Sequence, residues 1–556
     1  MTLSSDYCIH PSIENKWLQV VLLCAICCCS FFAHSGAHDV DLMEARNFVT
    51  AREIVRYNNW LVPTLNGEIR IAKPPLPTWI TAVFRIAGGD NDNNALMRLP
   101  AGLAAALMVF SLMGFVRSLT KDRWVPFMSA AVLATCVIVI DNGRRGSWDI
   151  YCHSFMLTAI WALSYGWQKN RRTAGAFVLA GVFLAFSFMS KGPVSFYSLL
   201  LPFLTAYIIF FGHRAIIGKW KELVLALAVF AVLSSLWPLA IFYQYPELSK
   251  SIAATEVTSW ADRHVRPFYF YLSFPLYAGL WSVTVVSGLV KPYAEKRMAP
   301  YATYGFVLIW IVLSLVLLSV IPEKKERYLI PAFVPMAIMG ATLFRSLIQR
   351  IANRTSSRGD LRLLMIHTGL SFLISLSIPL VLFMFGIRKN LMTPLAGAGW
   401  SMVFLFMALL ILFSGIRKKP LKLFALSLLS VCLINLALPK VIYRSPLFRQ
   451  NPEFRSLRHV RELKKLAGLN YYHLGDVSPI EIWDIGKRVK PIELDNGSFP
   501  LDDLPLALFS DTEPFSAIPE KLRHVLEIHI LGKFRYHPRH SNRIKYVALV
   551  RRGARE

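Results

Sequence analysis

Residues 303–322 read TYGFVLIWIVLSLVLLSVIP, and residues 323–331 continue EKKERYLIP. The first run carries no charge. At about 20 residues it is as long as a helix must be to cross a bilayer core about 30 Å thick. Five charged residues, Glu323 to Arg327, follow it at once, and then a tyrosine and a proline. An uncharged run that stops in a charged, aromatic turn has the signature of a membrane edge. The rest of the chain repeats it.

Thirteen such stretches lie near 17–34, 96–116, 124–140, 151–168, 173–190, 193–212, 221–243, 269–290, 303–322, 329–349, 363–386, 393–415 and 421–440. At 55% hydrophobic and 17% charged over 556 residues, the chain is too apolar for an ordinary soluble protein. The expected fold class is an α-helical polytopic membrane protein of about 13 transmembrane helices, with a small C-terminal α/β domain outside the membrane. The expected division is a transmembrane domain over 1–440, including a long first loop at 35–95, and the α/β domain over 441–556. Leu76–Ala87 is apolar but too short to span, and reads as a helix lying at the interface. The first span lacks the basic leader of a secretory signal, so it is expected to stay with the chain.

A net charge of +27 invites a nucleic-acid reading, but the pattern of the charge argues against it. Alternate loops are short and basic, such as Arg117/Lys121/Arg123 and Arg417/Lys418/Lys419/Lys422, whereas the loops between them hold nearly all the carboxylates. Lys and Arg concentrate on the cytoplasmic side of membrane proteins. The expected topology has a cytoplasmic N-terminus in an inner membrane, with the carboxylate-bearing loops and the tail on the periplasmic side. The eight cysteines fall mostly inside spans and show neither a disulfide framework nor zinc-finger spacing.

The outward loops hold the candidate chemistry. Loop one opens with Asp39-Val-Asp41-Leu-Met-Glu44-Ala-Arg46, helical to about Arg56. Asp41 and Glu44 have capping-box spacing, which would simply start a helix. Equally, they place a carboxylate beside Arg46 at the membrane surface. Further on, Ala72-Lys73-Pro74-Pro75-Leu76-Pro77 presents Lys73 from a rigid extended support, although an interfacial lysine also snorkels to headgroups. In Asp141-Asn-Gly-Arg144-Arg145-Gly-Ser-Trp-Asp149, Asp149 begins to enter the bilayer, where ionisable groups are functional candidates. Its other role would be a helix cap or a partner for Arg144 or Arg145. The segments Trp260-Ala-Asp262-Arg263-His264-Val-Arg266-Pro267 and Ile321–Pro331 put Arg266, Lys324 and Tyr328 at the outer boundary, which suits a phosphate at headgroup height. An ordinary aromatic and basic belt would look the same.

Taken in order, a carboxylate-Ala-Arg helix, Lys-Pro-Pro, an Asp at the mouth of span four, Ser190-Lys191-Gly192-Pro193, and a basic run into Tyr-Leu-x-Pro resemble one family. The resemblance is to the polytopic GT-C glycosyltransferases, in the aminoarabinose–lipid A transferase and protein O-mannosyltransferase group, over roughly 15–440. It implies a glycosyltransferase that moves a sugar from a polyprenyl-phosphate carrier to a periplasmic lipid, glycan or protein hydroxyl, with membrane lipids as its surroundings and no nucleic acid. The family motif Asp-Glu-x-Arg stands here as Met43-Glu44-Ala45-Arg46, so either Asp41 or Glu44 takes the aspartate's role. Relatives often carry Glu before Lys-Pro-Pro, linked to a zinc site completed by a histidine. This chain has Ala72, with His264 as the histidine's counterpart, and the expectation is that no metal is required.

The expected machinery follows from that chemistry. Asp41, Glu44 and Asp149 are the candidate catalytic carboxylates, one of them the base for the acceptor hydroxyl. Lys73, Arg266, Lys324 and Tyr328 are the candidates for holding the donor phosphate, so that its oxygen leaves unprotonated. Arg46, Arg144 and His264 are expected in support, and a single displacement would invert the anomeric centre. In the tail, Arg455–Ala467 reads as an amphipathic basic helix, and Asn470–Leu474, Pro479–Trp483, Leu526–Ile530 and Ile544–Val550 read as strands. The tail histidines His459, His473, His524, His529, His537 and His540 lack metal-ligand spacing. Two rival readings are a transporter or flippase of lipid-linked glycans, which calls for mid-span charges or repeats, and a non-catalytic relative.

Overall fold

The computed structural model of the protein describes residues 15–168, 173–262, 264–444, 454–492, 494, 499–536 and 544–553; Arg263, His537 and His540 lie outside the described residues. Every one of the thirteen apolar stretches is helical. Among the described residues eight helices are long and apolar enough to cross a membrane alone, and Val125–Thr135 with Val137–Gly143 forms a further candidate bent by 66°. The remaining stretches are shorter helices, except for Trp148–Gln168, which runs 21 residues. The protein is a multi-pass membrane protein.

Two compact units divide the chain. The first comprises 1–35, 71–77 and 98–438; the second comprises 36–70, 78–97 and 439–556. Most of the first loop therefore packs with the tail, so the chain divides near 440 and again on either side of 71–77.

In the first unit Trp148–Gln168 and Ala174–Lys191 form a tight antiparallel helical pair. The second of these helices stops at Gly192, whose φ of +69° suits a residue without Cβ. Glu326–Leu329 is a single 3₁₀ turn that starts Ile330–Ala352, a helix buried along almost its whole length.

In the second unit Leu42–Tyr57 is a helix whose N-cap, Asp41, accepts from the Met43 and Glu44 amides while Glu44 reaches back to the Asp41 amide at 3.1 Å. Strands β1 (Thr64–Leu65) and β2 (Glu68–Ile69) turn tightly at Asn66–Gly67, both left-handed in φ, as a two-residue hairpin demands. Leu76–Ala87 is a helix with the bounds read from the sequence.

The tail holds a five-stranded sheet of β3 (Asn470–Leu474), β4 (Lys490–Pro491), β5 (Leu506–Ser510), β6 (Leu526–Arg535) and β7 (Ile544–Arg552), in the order β4-β3-β5-β7-β6. The β3–β4 and β3–β5 pairs are parallel; β5–β7 and β6–β7 are antiparallel. Side chains alternate across it. Tyr471, Ala507, Phe509, Val547 and Leu549 fill one core, and Tyr472, Leu506, Leu508, Ala548 and Val550 fill the other.

Two tail elements differ from their sequence reading. Pro479–Trp483 lies in a helix, Pro479–Ile485, because Ser478 and Glu481 form a capping box and Pro479 occupies the first turn. Arg455–Ala467 holds two short 3₁₀ turns, Leu457–Glu462 and Lys464–Leu466, rather than an amphipathic α-helix. Leu463 between them is extended and breaks the ladder.

The first loop joins the tail through a shared core. Phe48, Val49 and Ile54 pack with Ile480, Ile482 and Trp483. Arg52, fully buried, donates to the Ile482 carbonyl at 2.8 Å and the Trp483 carbonyl at 3.3 Å. The carboxylate of Asp92 collects Arg85 at 2.5 Å, Arg461 at 2.6 Å and Arg52 at 3.4 Å. Burial alone would push Asp92 up, but the three guanidiniums outweigh it and hold the carboxyl below its usual range.

Candidate active site

The centre of the candidate site is Asp149, fully buried in the first turn of Trp148–Gln168. A carboxylate is favoured there by the helix dipole, as Lys191 is in the last turn of Ala174–Lys191. The antiparallel pairing brings those two ends together, and Lys191 Nζ donates to Asp149 Oδ1. Arg327 from the 3₁₀ turn approaches the other carboxylate oxygen at 3.1 Å. The Tyr328 ring covers the pair, its centroid 4.4 Å from Lys191 Nζ and 5.7 Å from the Arg327 guanidinium carbon.

Two more cations hold carboxylates around this core. Lys325 pairs with Glu323 at 2.6 Å, and Lys73 pairs with Glu256 of Pro246–Asp262 at 2.5 Å. Burial lowers the Lys73 ammonium from its ordinary value, and the nearby Lys191 adds to that, against the pull of Glu256. Burial likewise lowers Lys325, with Glu323 opposing it. The Arg266 side chain is exposed and makes no hydrogen bond or ion pair among the described residues. Cations exceed carboxylates here, and two of the carboxylates sit on side chains that solvent reaches.

The other expected residues occupy different places. Lys324 is buried and donates to the Ile321 carbonyl at 2.7 Å and the Arg266 carbonyl at 3.1 Å. With the Val265–Glu323 bridge and the Arg266 amide on Pro322, it ties the two loops together. Arg144 donates to the Ser30 and Cys29 carbonyls at 2.6 and 2.9 Å near the end of the helical run Lys16–Phe32, while Arg145 pairs with Asp141. His264 is exposed, with a left-handed φ of 51°. Asp41, Glu44 and Arg46 belong to the second unit, where Arg46 lies 3.9 Å from the Met43 sulfur.

Among the described residues no three His, Cys, Asp or Glu side chains converge.

The same architecture has been solved before. ArnT from Cupriavidus metallidurans, determined bound to undecaprenyl phosphate, matches with a TM-score of 0.67 over 96% of this chain and 98% of its own, at 16% identity. This chain has the GT-C fold. Three further comparisons match. A family model described as dolichyl-phosphate-mannose-protein mannosyltransferase matches residues 72–237. Undecaprenyl phosphate-alpha-4-amino-4-deoxy-L-arabinose arabinosyl transferase 1 of Pseudomonas fluorescens is 24% identical over 79% of this chain and 76% of its own length. The transferase of that name from Pseudomonas aeruginosa is 26% identical over 57% of each chain.

Within this GT-C scaffold, the candidate list read from sequence lacked Lys191, Arg327, Lys325 and Glu256. Lys191 carried a signal, since a lysine before Gly-Pro marks a helix end. Arg327 and Lys325 stood in the charged run that holds Lys324, and nothing local separated the three. Glu256 lies 183 residues from Lys73 and carried no signal.

Proposed function

We propose that the protein is an integral membrane glycosyltransferase that takes a sugar from a polyprenyl-phosphate carrier and transfers it to an outward-facing acceptor. The observation that supports this most is the anion-receiving cluster of Lys73, Lys191, Lys325, Arg327 and Tyr328 around the buried Asp149. A phosphodiester leaving group builds negative charge as the sugar departs. Fixed cations stabilise that charge without a proton, in a place where no water must reorganise. Asp149 holds Lys191 and Arg327 in position. Lys73 and Lys325 exchange their carboxylate partners for the donor phosphate, and Arg266 adds a mobile bidentate contact.

The donor class to test first is undecaprenyl phosphate carrying an amino-deoxy-arabinose, from the names of the relatives. The reaction inverts the anomeric centre by one displacement, with no required metal. The N-terminus is cytoplasmic, the membrane is the inner membrane, and the tail is periplasmic, on the strength of the basic loops. The test follows labelled sugar from a mixed polyprenyl-phosphate-sugar pool in membranes holding the wild type or Asp149→Asn. Transfer by the wild type and none by the variant is expected. A wild type that transfers nothing from any donor overturns the reading.

A further inference from the structure

Four residues before Lys191 and four after it, a serine hydroxyl reaches the same short stretch of Trp148–Gln168. Ser187 Oγ donates to the Cys152 carbonyl at 2.8 Å. Ser195 Oγ lies 2.7 Å from His153 Nδ1 and 2.9 Å from the Cys152 sulfur. Cys152 and His153 stand one turn beyond Asp149 on that helix, and all four of these side chains are fully buried. The other ring nitrogen, His153 Nε2, has no hydrogen-bond partner among the described residues, so Ser195 is the only partner of the imidazole there. An imidazole inside a membrane-spanning helix is costly, and a leucine would pack there without that cost. The reaction outlined above uses neither Ser195 nor His153.

We infer that Ser195 and His153 are positioning residues for Lys191: their bond fixes the turn between Lys191 and Ser195 to the helix that carries Asp149, and so sets where the ammonium stands when a phosphate arrives. A lysine head rides on a flexible four-carbon stem, so a fixed place for it requires a fixed backbone. The backbone here is a poor anchor by itself, because the helix Ala174–Lys191 stops at Gly192 and the chain turns through Pro193 before the next helix. Ser187 holds the near side of that break and Ser195 the far side. With both sides pinned, Lys191 Nζ meets the Asp149 carboxylate and the Tyr328 ring face. Such prior fixing is what lets a cation stabilise developing charge without reorganising. Plain helix-to-helix glue, the ordinary duty of serine and histidine inside membranes, would use the same bond. The two roles part when both partners are removed together, since an apolar pair restores packing but not the place of Lys191.

The inference rests on Lys191 belonging to the donor-phosphate cluster, but the place of its ammonium is measurable with no donor present. Full-length protein in detergent is treated with an amine-acetylating reagent, and peptide mass spectrometry follows the rate at Lys191 beside that at exposed Lys250. Ser195→Ala and His153→Leu are each expected to raise the Lys191 rate at least tenfold and leave Lys250 unchanged. His153→Asn, whose side-chain amide reaches the place of Nδ1, is expected to keep the wild-type rate. The double variant Ser195→Ala/His153→Leu is expected to regain wild-type thermal unfolding, keep the fast rate, and bind undecaprenyl phosphate at least fivefold more weakly. It decides alone if a single variant fails to fold. A wild-type Lys191 rate in the double variant, or undecaprenyl phosphate binding as tight as the wild type's, overturns the inference and leaves glue. Acetylation in His153→Asn as fast as in His153→Leu overturns it too. A wild type that transfers no sugar, with Lys191 released in the variants, keeps the positioning role and removes the enzyme. One that transfers sugar, with Lys191 protected in every variant, removes the positioning role and keeps the enzyme.

Discussion

Asp149 in the first unit and Asp92 in the second are both buried carboxylates gathered by cations, yet the two clusters are built to opposite ends. Around Asp92 every arginine also bonds elsewhere in the unit. Arg52 and Arg461 end on backbone carbonyls of 482–484, and Arg85 also pairs with Asp90 and bonds its carbonyl. Opening that cluster would strand several buried groups at once. Around Asp149 the outer cations each hold one carboxylate, Lys73 that of Glu256 from a distant segment and Lys325 that of Glu323 two residues away. In the proposed reaction those carboxylates give way to the donor phosphate. The number of cations therefore says little about function. What separates a brace from a binding site is whether the partners can be displaced.

The sharpest way to break this comparison is Asp149→Asn. Transfer is expected to fall by at least ~100-fold, the scale of losing a preorganised charge array. The variant also removes the buried counter-charge of Lys191, so reduced accumulation in the membrane is expected. Asp149→Asn combined with Lys191→Met should restore accumulation and leave transfer absent. Recovery of transfer in the double variant would reduce Asp149 to a structural partner.

Asp92→Asn tests the opposite member. Removing one partner of a buried ion cluster costs about 3–5 kcal/mol, because the remaining charges stay desolvated. Thermal unfolding should show the second unit melting earlier, with donor binding by the first unit preserved at low temperature. A variant as stable as wild type would mean the arginines are held by the carbonyls alone.

These clusters also mark where sequence stopped being informative. Local grammar was readable. Asp41-x-x-Glu44 starts a helix, Leu76–Ala87 is one, and uncharged runs of about 20 residues are helices because the chain has no other way to satisfy its backbone in lipid. Pro479–Trp483 misled through its Ile480/Ile482 alternation, although Ser478-Pro-x-Glu481 spelled the start of a helix. Leu506–Ser510 went unread because a central strand buried on both faces shows no alternation. Asp149 was visible as a charge at a span mouth. Its partners were not, since Lys191 and Arg327 reach it only through helix packing. The joining of the first loop to the tail was hidden for the same reason. Arg52 and Trp483 are 431 residues apart.

A milder perturbation sharpens the idea of displaceable partners. Glu256→Gln frees Lys73 from its carboxylate, and is expected to tighten undecaprenyl phosphate binding several-fold. Lys73→Gln is expected to weaken it by a similar factor or more. The two opposite shifts, measured by titration of the purified protein, distinguish a displaceable partner from a brace. If both variants weaken binding, Glu256 positions Lys73 rather than competing for it.

The smallest effect concerns Asp484, a carboxyl with no cation bound to it. Burial and the neighbouring Asp39 push it up to about 7, with Glu481 adding to this and Arg461 and Arg458 opposing it. An unfolded aspartate releases its proton near 3.8, so between there and about pH 7 the folded unit holds a proton that the unfolded chain does not. By linkage this contribution to stability is full below the unfolded pKa and is lost as pH rises through about 7. Asp92 runs the other way, since its lowered pKa makes its contribution fade only as pH falls below the ordinary carboxylate range. Thermal unfolding of wild type and Asp484→Asn at pH 5, 6, 7 and 8 separates the two, because the variant lacks only the contribution of Asp484. The wild type should lose midpoint temperature relative to the variant between pH 5 and 8. Parallel curves would mean that Asp484 is ionised throughout and that the guanidiniums of Arg458 and Arg461 reach it as they reach Asp92.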